Sequence, residues 1–335
     1  MRIAITGITS GVGVRLAEVA LARGDAVVGL ARDPGHAVAR RLEELGARLV
    51  PGDVEDPRSL RALADGADVV VHAAAVVGDA APRELFERVN VGGTRSAVEA
   101  AADARARRFV HVSSSAVYGR PDHGRVTEAW PTRKIGLPYE DTKTEAERLA
   151  FERGRELGLE VTAVRPPIIY GPNDRNFLPR AIEALKKRRF LLVDGGRAPL
   201  NLVWVDHVVD VVLRAAEHPD AAGEAFNVMD EVDREPPSVR EVAEAIAREA
   251  GLPAPTRSLP YPVAMGVAHA VAAVARRVRP GAPPPISPFV VKLMTRHVIY
   301  DASKAARVLG FVPRVGSLEG VGREARAFAA RPRPR

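Results

Sequence analysis

The sequence predicts an α/β fold in which helices cover both faces of a parallel sheet and a smaller, mostly helical lobe follows towards the C-terminus. Two observations carry this prediction. Short apolar runs alternate with amphipathic stretches of helical length through the first half of the chain, and the alternation breaks after Arg165, where prolines and glycines interrupt it. Strands that alternate with such helices form βαβ units. Right-handed crossovers wind these units into a Rossmann-type doubly wound sheet, with ligands at the carboxyl ends of its strands.

Each element follows from its apolar pattern. Buried strands are predicted at 3–6, 26–30, 47–50, 69–72, 109–113 and 161–164, with helices between them at 14–23, 37–45, 59–64, 81–104 and 141–157. Beyond Arg165 the sequence predicts helices at 178–187 and 239–250, and strands at 202–205 and 225–228 that return to the sheet. We therefore divide the chain into a Rossmann domain (1–168 and about 200–230), a C-terminal lobe (169–199 and 231–325) and a disordered tail (326–335).

The composition excludes several classes of function. The 335 residues include no cysteine, which rules out disulfides, a thiol nucleophile and cysteine-ligated metals, and we predict no metal site. The formal net charge is +7, and we ascribe the excess to scattered pairs such as Arg107–Arg108 and to the Arg-Pro tail. Because aromatic residues make up only 5% of the chain, this charge predicts a solvated surface that attracts anionic cofactors, and no nucleic-acid partner is expected.

Neither a targeting segment nor a membrane span is predicted. Met1 to Gly7 run directly into the first strand, so no signal peptide is expected and a cytoplasmic location is favoured. The apolar run at 262–275 has about 14 residues, fewer than the roughly 20 that a membrane span needs, so we predict no integral membrane segment. A lobe helix that covers an apolar substrate is favoured over peripheral membrane contact.

A glycine-rich turn joins the first predicted strand to the first helix. Gly7, Gly11 and Gly13, with Ser10 and Val12 between them, permit a tight turn and bring bare backbone close to a ligand. The helix that follows offers free N–H groups and the positive end of its dipole, which together bind phosphate. Because the turn lies between a strand and a helix, we predict that it binds the pyrophosphate of a dinucleotide.

The tip of the second strand indicates which dinucleotide binds. Arg32 follows this tip and suits the 2′-phosphate of NADP, whereas an acidic side chain at the tip would bind the ribose hydroxyls of NAD. Asp33 comes next, so NAD remains possible. We therefore predict NADP as the cofactor, with NAD as the alternative.

The ends of the third and fourth strands complete the predicted cofactor site. Asp53 and Val54 are placed to meet the adenine, although Asp53 also suits a turn or a helix cap. Three small residues close the fourth strand and would let the cofactor lie against the backbone: Ala73, Ala74 and Ala75. His72, just before them, is expected to be a packed strand-end residue rather than a ligand.

Catalytic residues are predicted beyond the fifth strand. Ser114 follows this strand, and Tyr139 and Lys143 are four residues apart, which places both on one face of a helix. A tyrosine with a free pKa near 10 is a weak base at neutral pH, but a nearby ammonium and the positive nicotinamide of an oxidised cofactor favour the phenolate. Ser114 then orients the substrate oxygen, and Lys143 also holds the nicotinamide ribose.

With these motifs the chain resembles the extended short-chain dehydrogenases/reductases, the NAD-dependent epimerase/dehydratase family. The resemblance also rests on the segments 90–94, 117–119, 127–128, 165–166, 171–172, 205–206 and 301–313. It implies that Asn90 lies near the cofactor, that Pro166 and Ile168 line the nicotinamide, that the lobe binds substrate, and that helices 81–104 and 141–157 form a homodimer interface. Ser10 departs from the extended spacing, which has glycine there.

The resemblance leaves several reactions to compare. Dehydratases of the family carry an Asp-Glu pair beside the catalytic hydroxyl, where this chain has Ser115 and Ala116, so dehydration is not expected. Epimerases generally place a diphosphate-binding arginine at a position that is Pro199 here. Arg197, Arg175 or Arg180 would have to substitute for it, and sugar-nucleotide epimerisation stays the alternative.

Oxidoreduction needs no further catalytic residue and is the favoured prediction. The C-terminal third resembles the 3β-hydroxysteroid dehydrogenase and dihydroflavonol-reductase-like branch, in which the lobe covers a flat, apolar substrate. We therefore predict an NAD(P)-dependent dehydrogenase/reductase that acts on a secondary alcohol or ketone of a steroid- or polyphenol-like small molecule. A non-catalytic dinucleotide-sensing protein is the second alternative, but such proteins generally lack the Tyr–Lys pair found at Tyr139 and Lys143.

Overall fold

A computed structural model of the chain describes residues 1–78, 81–278 and 288–330. Its strands are β1 (Arg2–Thr6), β2 (Ala26–Ala31), β3 (Arg48–Pro51), β4 (Val69–His72), β5 (Arg108–Val112), β6 (His123–Val126), β7 (Glu160–Arg165), β8 (Ile168–Tyr170), β9 (Leu192–Val193), β10 (Leu202–Trp204), β11 (Ala225–Asn227), β12 (Ser258–Leu259) and β13 (His297–Tyr300). Its helices are α1 (Gly11–Ala22), α2 (Ala37–Glu44), α3 (Pro57–Ala64), α4 (Arg83–Phe86), α5 (Gly93–Asp103), α6 (Pro138–Leu157), α7 (Phe177–Lys186), α8 (Val205–Glu217), α9 (Val239–Glu249), α10 (Tyr261–Val278), α11 (Pro288–Leu293), α12 (Ser303–Leu309) and α13 (Ser317–Ala329). A π-helical turn (Glu87–Gly92) joins α4 to α5.

A parallel sheet forms the centre of the fold. Within the described residues it has seven strands in the order β3-β2-β1-β4-β5-β7-β11. Every neighbouring pair is parallel, and the chain winds outward from β1 in both directions. The predicted Rossmann-type doubly wound sheet is confirmed, and the winding reverses between β1 and β4, where ligands bind in such sheets.

Alternate residues of each strand pack against opposite helical layers. In β1, Ile5 packs in one core with Leu16 of α1 and Val212 of α8, whereas Ala4 packs in a second core with Val98 of α5. Successive side chains of a strand point to opposite faces, and both faces are covered here. This double burial explains why the strands appear in the sequence as continuous apolar runs.

The later part of the chain builds further cores beside the sheet. Ile182 of α7, Ile246 of α9 and Val321 of α13 pack together with Leu202 of β10. The helices α10 and α11 pack on each other and on β9 through a small separate cluster: Val193, Ala264, Ala268 and Val291. Among the described helices, none is long and apolar enough to cross a membrane.

Three of the predicted segments differ from the structure. The strand predicted at 202–205 does not return to the central sheet, because β10 pairs with β8 in a separate two-stranded sheet, and only β11 joins the centre beside β7. The helix predicted at 81–104 is interrupted by the π-helical turn. Residues 326–329, predicted to belong to the disordered tail, lie in α13, and residues 331–335 of that tail lie outside the described residues. The division into domain and lobe stays a prediction.

Candidate active site

The glycine turn brings the end of β1 against the loop that follows β4. Gly7 has a φ of +66°, and a Cβ atom on it would lie 2.7 Å from the backbone nitrogen of Ala74. A Cβ atom on Gly13 would lie 2.1 Å from the carbonyl oxygen of Gly7, so α1 begins directly against β1. Glycine is therefore required at both positions. Gly11 is less crowded, because its Cβ would lie 3.5 Å from the carbonyl oxygen of Asn173.

Ser10 caps the helix that starts in this turn. Its side chain accepts a hydrogen bond from the Gly13 N–H at 3.1 Å, so the residue that departs from the extended family's spacing supplies an N-cap. Val12 is half-buried and packs against the cores of both the sheet and the lobe. The first N–H groups of a helix have no partner within it, and this end of α1 suits a phosphate.

The tip of β2 holds its acidic residue in a local turn. Asp33 is exposed, and its Oδ1 accepts a hydrogen bond from the Gly35 N–H at 2.9 Å. Arg32 is also exposed at the same tip. One carboxylate oxygen of Asp33 is therefore already used by the backbone, which makes Asp33 a weaker candidate for binding ribose hydroxyls.

Asp53 and Val54 follow β3 and form a turn before α3. The Asp53 Oδ1 accepts a hydrogen bond from the Glu55 N–H at 3.0 Å. The cap of α3 is Asp56, whose carboxylate accepts from the first N–H groups of that helix. Val54 is buried, and a Cβ atom on Gly93 would lie 2.9 Å from its Cγ2. Asp53 therefore stabilises a turn, which was one alternative for this residue, whereas Asp56 is the N-cap of α3.

A chain of hydrogen bonds crosses the carboxyl end of β4. The Ala74 N–H donates to the Thr6 hydroxyl at 3.3 Å, and Thr6 Oγ1 lies 2.9 Å from His72 Nδ1. His72 Nε2 lies 3.1 Å from the Thr94 hydroxyl, which donates to the Asn90 carbonyl at 2.6 Å. Because the Thr94 proton is used there, His72 Nε2 donates and Nδ1 accepts. Burial, aided by the charge of Lys143, lowers the pKa of His72 to about 3, so the ring stays neutral.

Asn90 lies in the π-helical turn and connects the alanine loop to α6. Its Oδ1 accepts a hydrogen bond from the Val76 N–H at 2.8 Å. Its Nδ2 donates to the Val76 carbonyl at 3.2 Å and to the Thr142 hydroxyl at 3.1 Å. π-Helical turns are frequent at functional sites, and this one sets the position of the half-exposed residues Ala73 to Ala75.

Ser114, Tyr139 and Lys143 meet where β5 ends beside α6. The Ser114 hydroxyl forms a hydrogen bond with Tyr139 and accepts another from the Ala116 N–H at 3.2 Å. Lys143 is only 3% exposed, and its Nζ donates to the Val112 carbonyl at 2.8 Å. The structure thus brings the three predicted catalytic side chains to one place at the carboxyl edge of the sheet.

Burial controls the charge of these groups. It raises the pKa of Tyr139, against the opposing effects of the Ser114 hydrogen bond and the Arg120 charge. It lowers the pKa of Lys143 to about 8, and the Glu147 carboxylate acts in the other direction. The expected lowering of the Tyr139 pKa is thus not found in the protein alone, because burial outweighs the groups that favour the phenolate.

Two contacts at this site were not predicted from the sequence. Arg120 forms an ion pair with Glu140, the residue next to Tyr139. Tyr300 forms a hydrogen bond with Ser115, and its ring stacks on Tyr118 with 5.9 Å between centroids. Both residues adjoin motifs that the resemblance uses, and this adjacency was the only signal in the sequence.

A buried network supports the site from behind. Arg165 binds Glu147 through Nε at 3.0 Å and Nη2 at 2.5 Å, and donates to the Tyr118 hydroxyl at 2.9 Å. Tyr118 donates in turn to Asn227 Oδ1 at 2.7 Å, and the Asn227 N–H donates to Glu128 at 2.7 Å. These motif residues fix α6 relative to the ends of β5, β7 and β11.

Pro166 and Ile168 follow β7 beside the end of β5. The Pro166 carbonyl accepts a hydrogen bond from the Ser115 N–H at 2.9 Å, and Ile168 is half-buried at the start of β8. They share the carboxyl edge of the sheet with the glycine turn and the alanine loop. Glycine positions that a Cβ would fill, a helix N-terminus and a strip of small residues together fit a dinucleotide.

Comparisons with known proteins agree with this arrangement. Residues 3–228 match the NAD dependent epimerase/dehydratase family. The chain is 34% identical over 324 residues to a 4-hydroxy-2-methyl-3-oxo-4-farnesyl-3,4-dihydroquinoline-1-oxide ketoreductase of Stigmatella aurantiaca, over 96% of this chain and 95% of that protein. It is 31% identical over 320 residues to sterol demethylase protein B of Methylococcus capsulatus, over 92% and 93% of the two chains.

A solved structure shares the fold. UDP-glucuronic acid 4-epimerase from Bacillus cereus, in complex with NAD, superposes with a TM-score of 0.75 over 98% of this chain and all of that one, at 20% identity. The family match contains the glycine turn, Ser114, Tyr139 and Lys143, and the two relatives extend the similarity through the lobe. The chain therefore belongs to the NAD dependent epimerase/dehydratase family and is an NAD(P)-dependent enzyme of the extended short-chain dehydrogenase/reductase type.

Proposed function

We propose that the protein transfers hydride between NADP(H) and a secondary alcohol or ketone of an apolar small molecule. The observation that carries the proposal is the hydrogen-bonded pair of Ser114 and Tyr139 beside buried Lys143. These groups suffice for moving one proton at a substrate oxygen. Ser115 and Ala116 stand where a dehydratase would need acidic groups, so the site offers no acid to expel a hydroxide.

In this proposal the bound nicotinamide supplies or accepts the hydride. For reduction, Tyr139 donates its hydroxyl proton to the ketone oxygen, which becomes the alcohol, and in oxidation it takes that proton back. Ser114 holds the same oxygen by a hydrogen bond. Lys143, charged below a pKa of about 8, would hold the nicotinamide ribose. Tyr139 is half-buried, which limits the access of water to the transferred proton.

Support for an apolar substrate comes from the relatives. The named substrates of the two relatives above, a farnesyl dihydroquinoline oxide and a sterol, are apolar polycyclic or prenylated molecules. Both relatives are similar to this chain through the lobe as well as the sheet. We therefore propose a steroid-, quinoline- or polyphenol-sized ketone or alcohol as the substrate class.

Support for NADP over NAD comes from the tip of β2. Arg32 is exposed there, and Asp33 is held by the Gly35 N–H. A guanidinium binds a 2′-phosphate through paired hydrogen bonds, which a free ribose hydroxyl does not match. The remaining cofactor contacts that we propose are those of Gly7, Ser10, Gly11, Val12, Gly13, Asp53, Val54, Ala73, Ala74, Ala75, Asn90, Pro166 and Ile168.

The experiment measures cofactor exchange and turnover together. Purified protein is denatured to identify any released dinucleotide, and the apo protein is titrated with NADPH and NADH. An empty or freely exchanging site that prefers NADPH, with turnover of an apolar ketone, supports the proposal. A stoichiometric, non-exchanging NAD indicates the sugar-nucleotide epimerase instead, and cofactor binding without turnover of any ketone or alcohol indicates a sensing protein.

The Tyr139→Phe variant tests the proton donor. We expect turnover to fall by at least about 10²-fold, because the variant lacks the only proton assigned to the substrate oxygen. NADPH affinity should stay within about threefold of wild type, since the phenyl ring keeps the packing against Phe86. A variant with near-normal rates would exclude the assignment of Tyr139.

We also propose a homodimer through α5 and α6. These helices pack side by side, and α6 exposes a row of charged residues that includes Arg148 and Glu152. Light scattering on the purified protein measures the mass directly. A monomeric mass at micromolar concentration would contradict this proposal.

A further inference from the structure

The positive charge of the chain is concentrated in one segment. Residues 250–300 contain six Lys or Arg residues and no Asp or Glu, whereas the rest of the chain carries 43 basic and 42 acidic residues. The net charge of +7 thus arises almost entirely in this segment. The scattered pairs and the Arg-Pro tail, to which we ascribed the excess, are balanced by acidic residues elsewhere in the chain. A charge asymmetry of this kind indicates an anionic partner.

The helix within this segment exposes an apolar face. Val263, Val267, Val274 and Val278 of α10 are 50%, 41%, 60% and 70% exposed. At 3.6 residues per turn these four side chains lie within an arc of about 60°, so they form one stripe along the helix. The neighbouring face of α10, through Ala264, is buried against the lobe.

Contacts at its start and along its buried face attach α10 to the neighbouring elements. The Tyr261 N–H at the start of α10 donates to Asp194 Oδ1 at 2.9 Å, and β12, just before it, pairs with β9. Val291 of α11 packs against Ala264 and Ala268 on the buried face. Arg277 of α10 is exposed next to Val278, and Lys292 is exposed on α11, the helix that packs on α10. The surface is therefore both apolar and positively charged.

We propose that this face of α10 docks on the surface of an anionic lipid bilayer. An apolar helix face in a segment that has basic residues and no Asp or Glu is the combination that lies in the headgroup region. There, side chains such as Val267 leave water and cations pair with lipid phosphates. The inference does not depend on the proposed reaction.

The charge argues against other occupants. A second copy docked through the same face would place Arg277 and Lys292 near their own counterparts, and like charges across an interface are unfavourable. A nucleic acid would satisfy the charges but leave the valines in contact with phosphates. A lipid surface satisfies both features at once.

Vesicle sedimentation of the full-length protein tests the proposal. Vesicles of phosphatidylcholine with about one third phosphatidylglycerol are compared with phosphatidylcholine alone, and NaCl is raised from about 0.05 M to about 0.5 M. We expect binding to the anionic vesicles only, with release by salt. No sedimentation with anionic vesicles, or equal sedimentation with both kinds, would overturn the proposal.

Two pairs of variants locate the surface. The double variant Val267→Asp/Val274→Asp should lose at least about tenfold in lipid partition, whereas Val312→Asp, at a valine that is 71% exposed elsewhere, should bind as wild type. The lipid partition of the double variant Arg277→Gln/Lys292→Gln should fall about 25-fold, about fivefold for each cation removed. The exposed Arg155→Gln on α6 should leave the lipid partition unchanged.

Folding and mass are measured for every variant. Unchanged melting temperature and unchanged cofactor affinity ensure that a loss of lipid binding reports on the surface. If the valine variant unfolds, the charge variants carry the test alone. Equal lipid partition of wild type and both double variants would overturn the assignment to α10. A lower mass of the Val267→Asp/Val274→Asp protein without lipid would identify a second copy as the occupant and also overturn it.

Discussion

The two later glycines of the turn have separable roles, which Gly13→Ala and Gly11→Ala distinguish. A Cβ atom at position 13 would lie 2.1 Å from the carbonyl oxygen of Gly7, a backbone atom that cannot rotate away. A Cβ atom at position 11 would meet its nearest neighbour, the Asn173 carbonyl, at an ordinary 3.5 Å. The first change therefore strains the protein itself, while the second only adds a methyl group where we propose that the pyrophosphate binds.

The expected magnitudes follow from these contacts. Relief of the clash at Gly13 requires α1 and β1 to move apart by about 1 Å, and such overpacking costs about 1–3 kcal/mol. At about 2–4 °C per kcal/mol for a domain of this size, the melting temperature of the apo protein should fall by about 2–12 °C. Gly11→Ala has no clash, and Ala is favoured over Gly in a helix by up to about 1 kcal/mol, so its melting temperature should not fall.

Two measurements on each variant check this reasoning. Melting temperature without cofactor reports the strain, and NADPH titration reports access to the turn. We expect Gly11→Ala to keep its stability but bind NADPH at least about tenfold more weakly, a loss of about 1.4 kcal/mol. Either of two results would refute these roles: a melting temperature of Gly13→Ala equal to that of wild type, or an unchanged NADPH affinity of Gly11→Ala.

Three further predictions follow from burial and charge. Lys143→Met removes a side chain whose pKa is 10.5 in the unfolded chain and about 8 in the folded protein. Between pH 8 and 10.5 the unfolded chain binds more protons, so the unfolding free energy of wild type should increase relative to that of the variant as the pH rises. A difference in unfolding free energy that stays constant with pH in urea titrations would contradict this. Glu147→Ala leaves Arg165 buried and unpaired and should cost about 3–5 kcal/mol in unfolding free energy, whereas Glu152→Ala, at an exposed pair, should cost less than about 1 kcal/mol. Arg32→Ala should weaken NADPH binding more than NADH binding in the same titrations, and equal losses would exclude a 2′-phosphate contact.

Local patterns predicted much of the architecture. The alternation of strands and helices gave the doubly wound sheet because each strand is buried on both faces and shows as a continuous apolar run. Interruptions inside an element were harder to predict. The π-helical turn at Glu87–Gly92 lies within one apolar-periodic stretch, because an inserted residue shifts the hydrogen bonds without changing the composition.

Some features of the candidate site could likewise be predicted from local sequence, and others could not. Tyr139 and Lys143 are four residues apart on one helix, so their shared face follows from spacing alone. The pairing of Arg120 with Glu140, and the contact of Tyr300 with Ser115, join residues far apart in the chain. Such contacts depend on how elements pack, which no short sequence window contains.

By itself, the sequence determined the turn at Gly7–Gly13, the catalytic spacing and the parallel sheet, since each depends on backbone geometry or on periodicity over a few residues. Tertiary structure alone decided that β10 leaves the central sheet, that burial raises the pKa of Tyr139, and that the valines of α10 remain exposed. These outcomes depend on which surfaces meet and how much water they exclude. Desolvation and packing are properties of the assembled chain, so residues distant in sequence decide them.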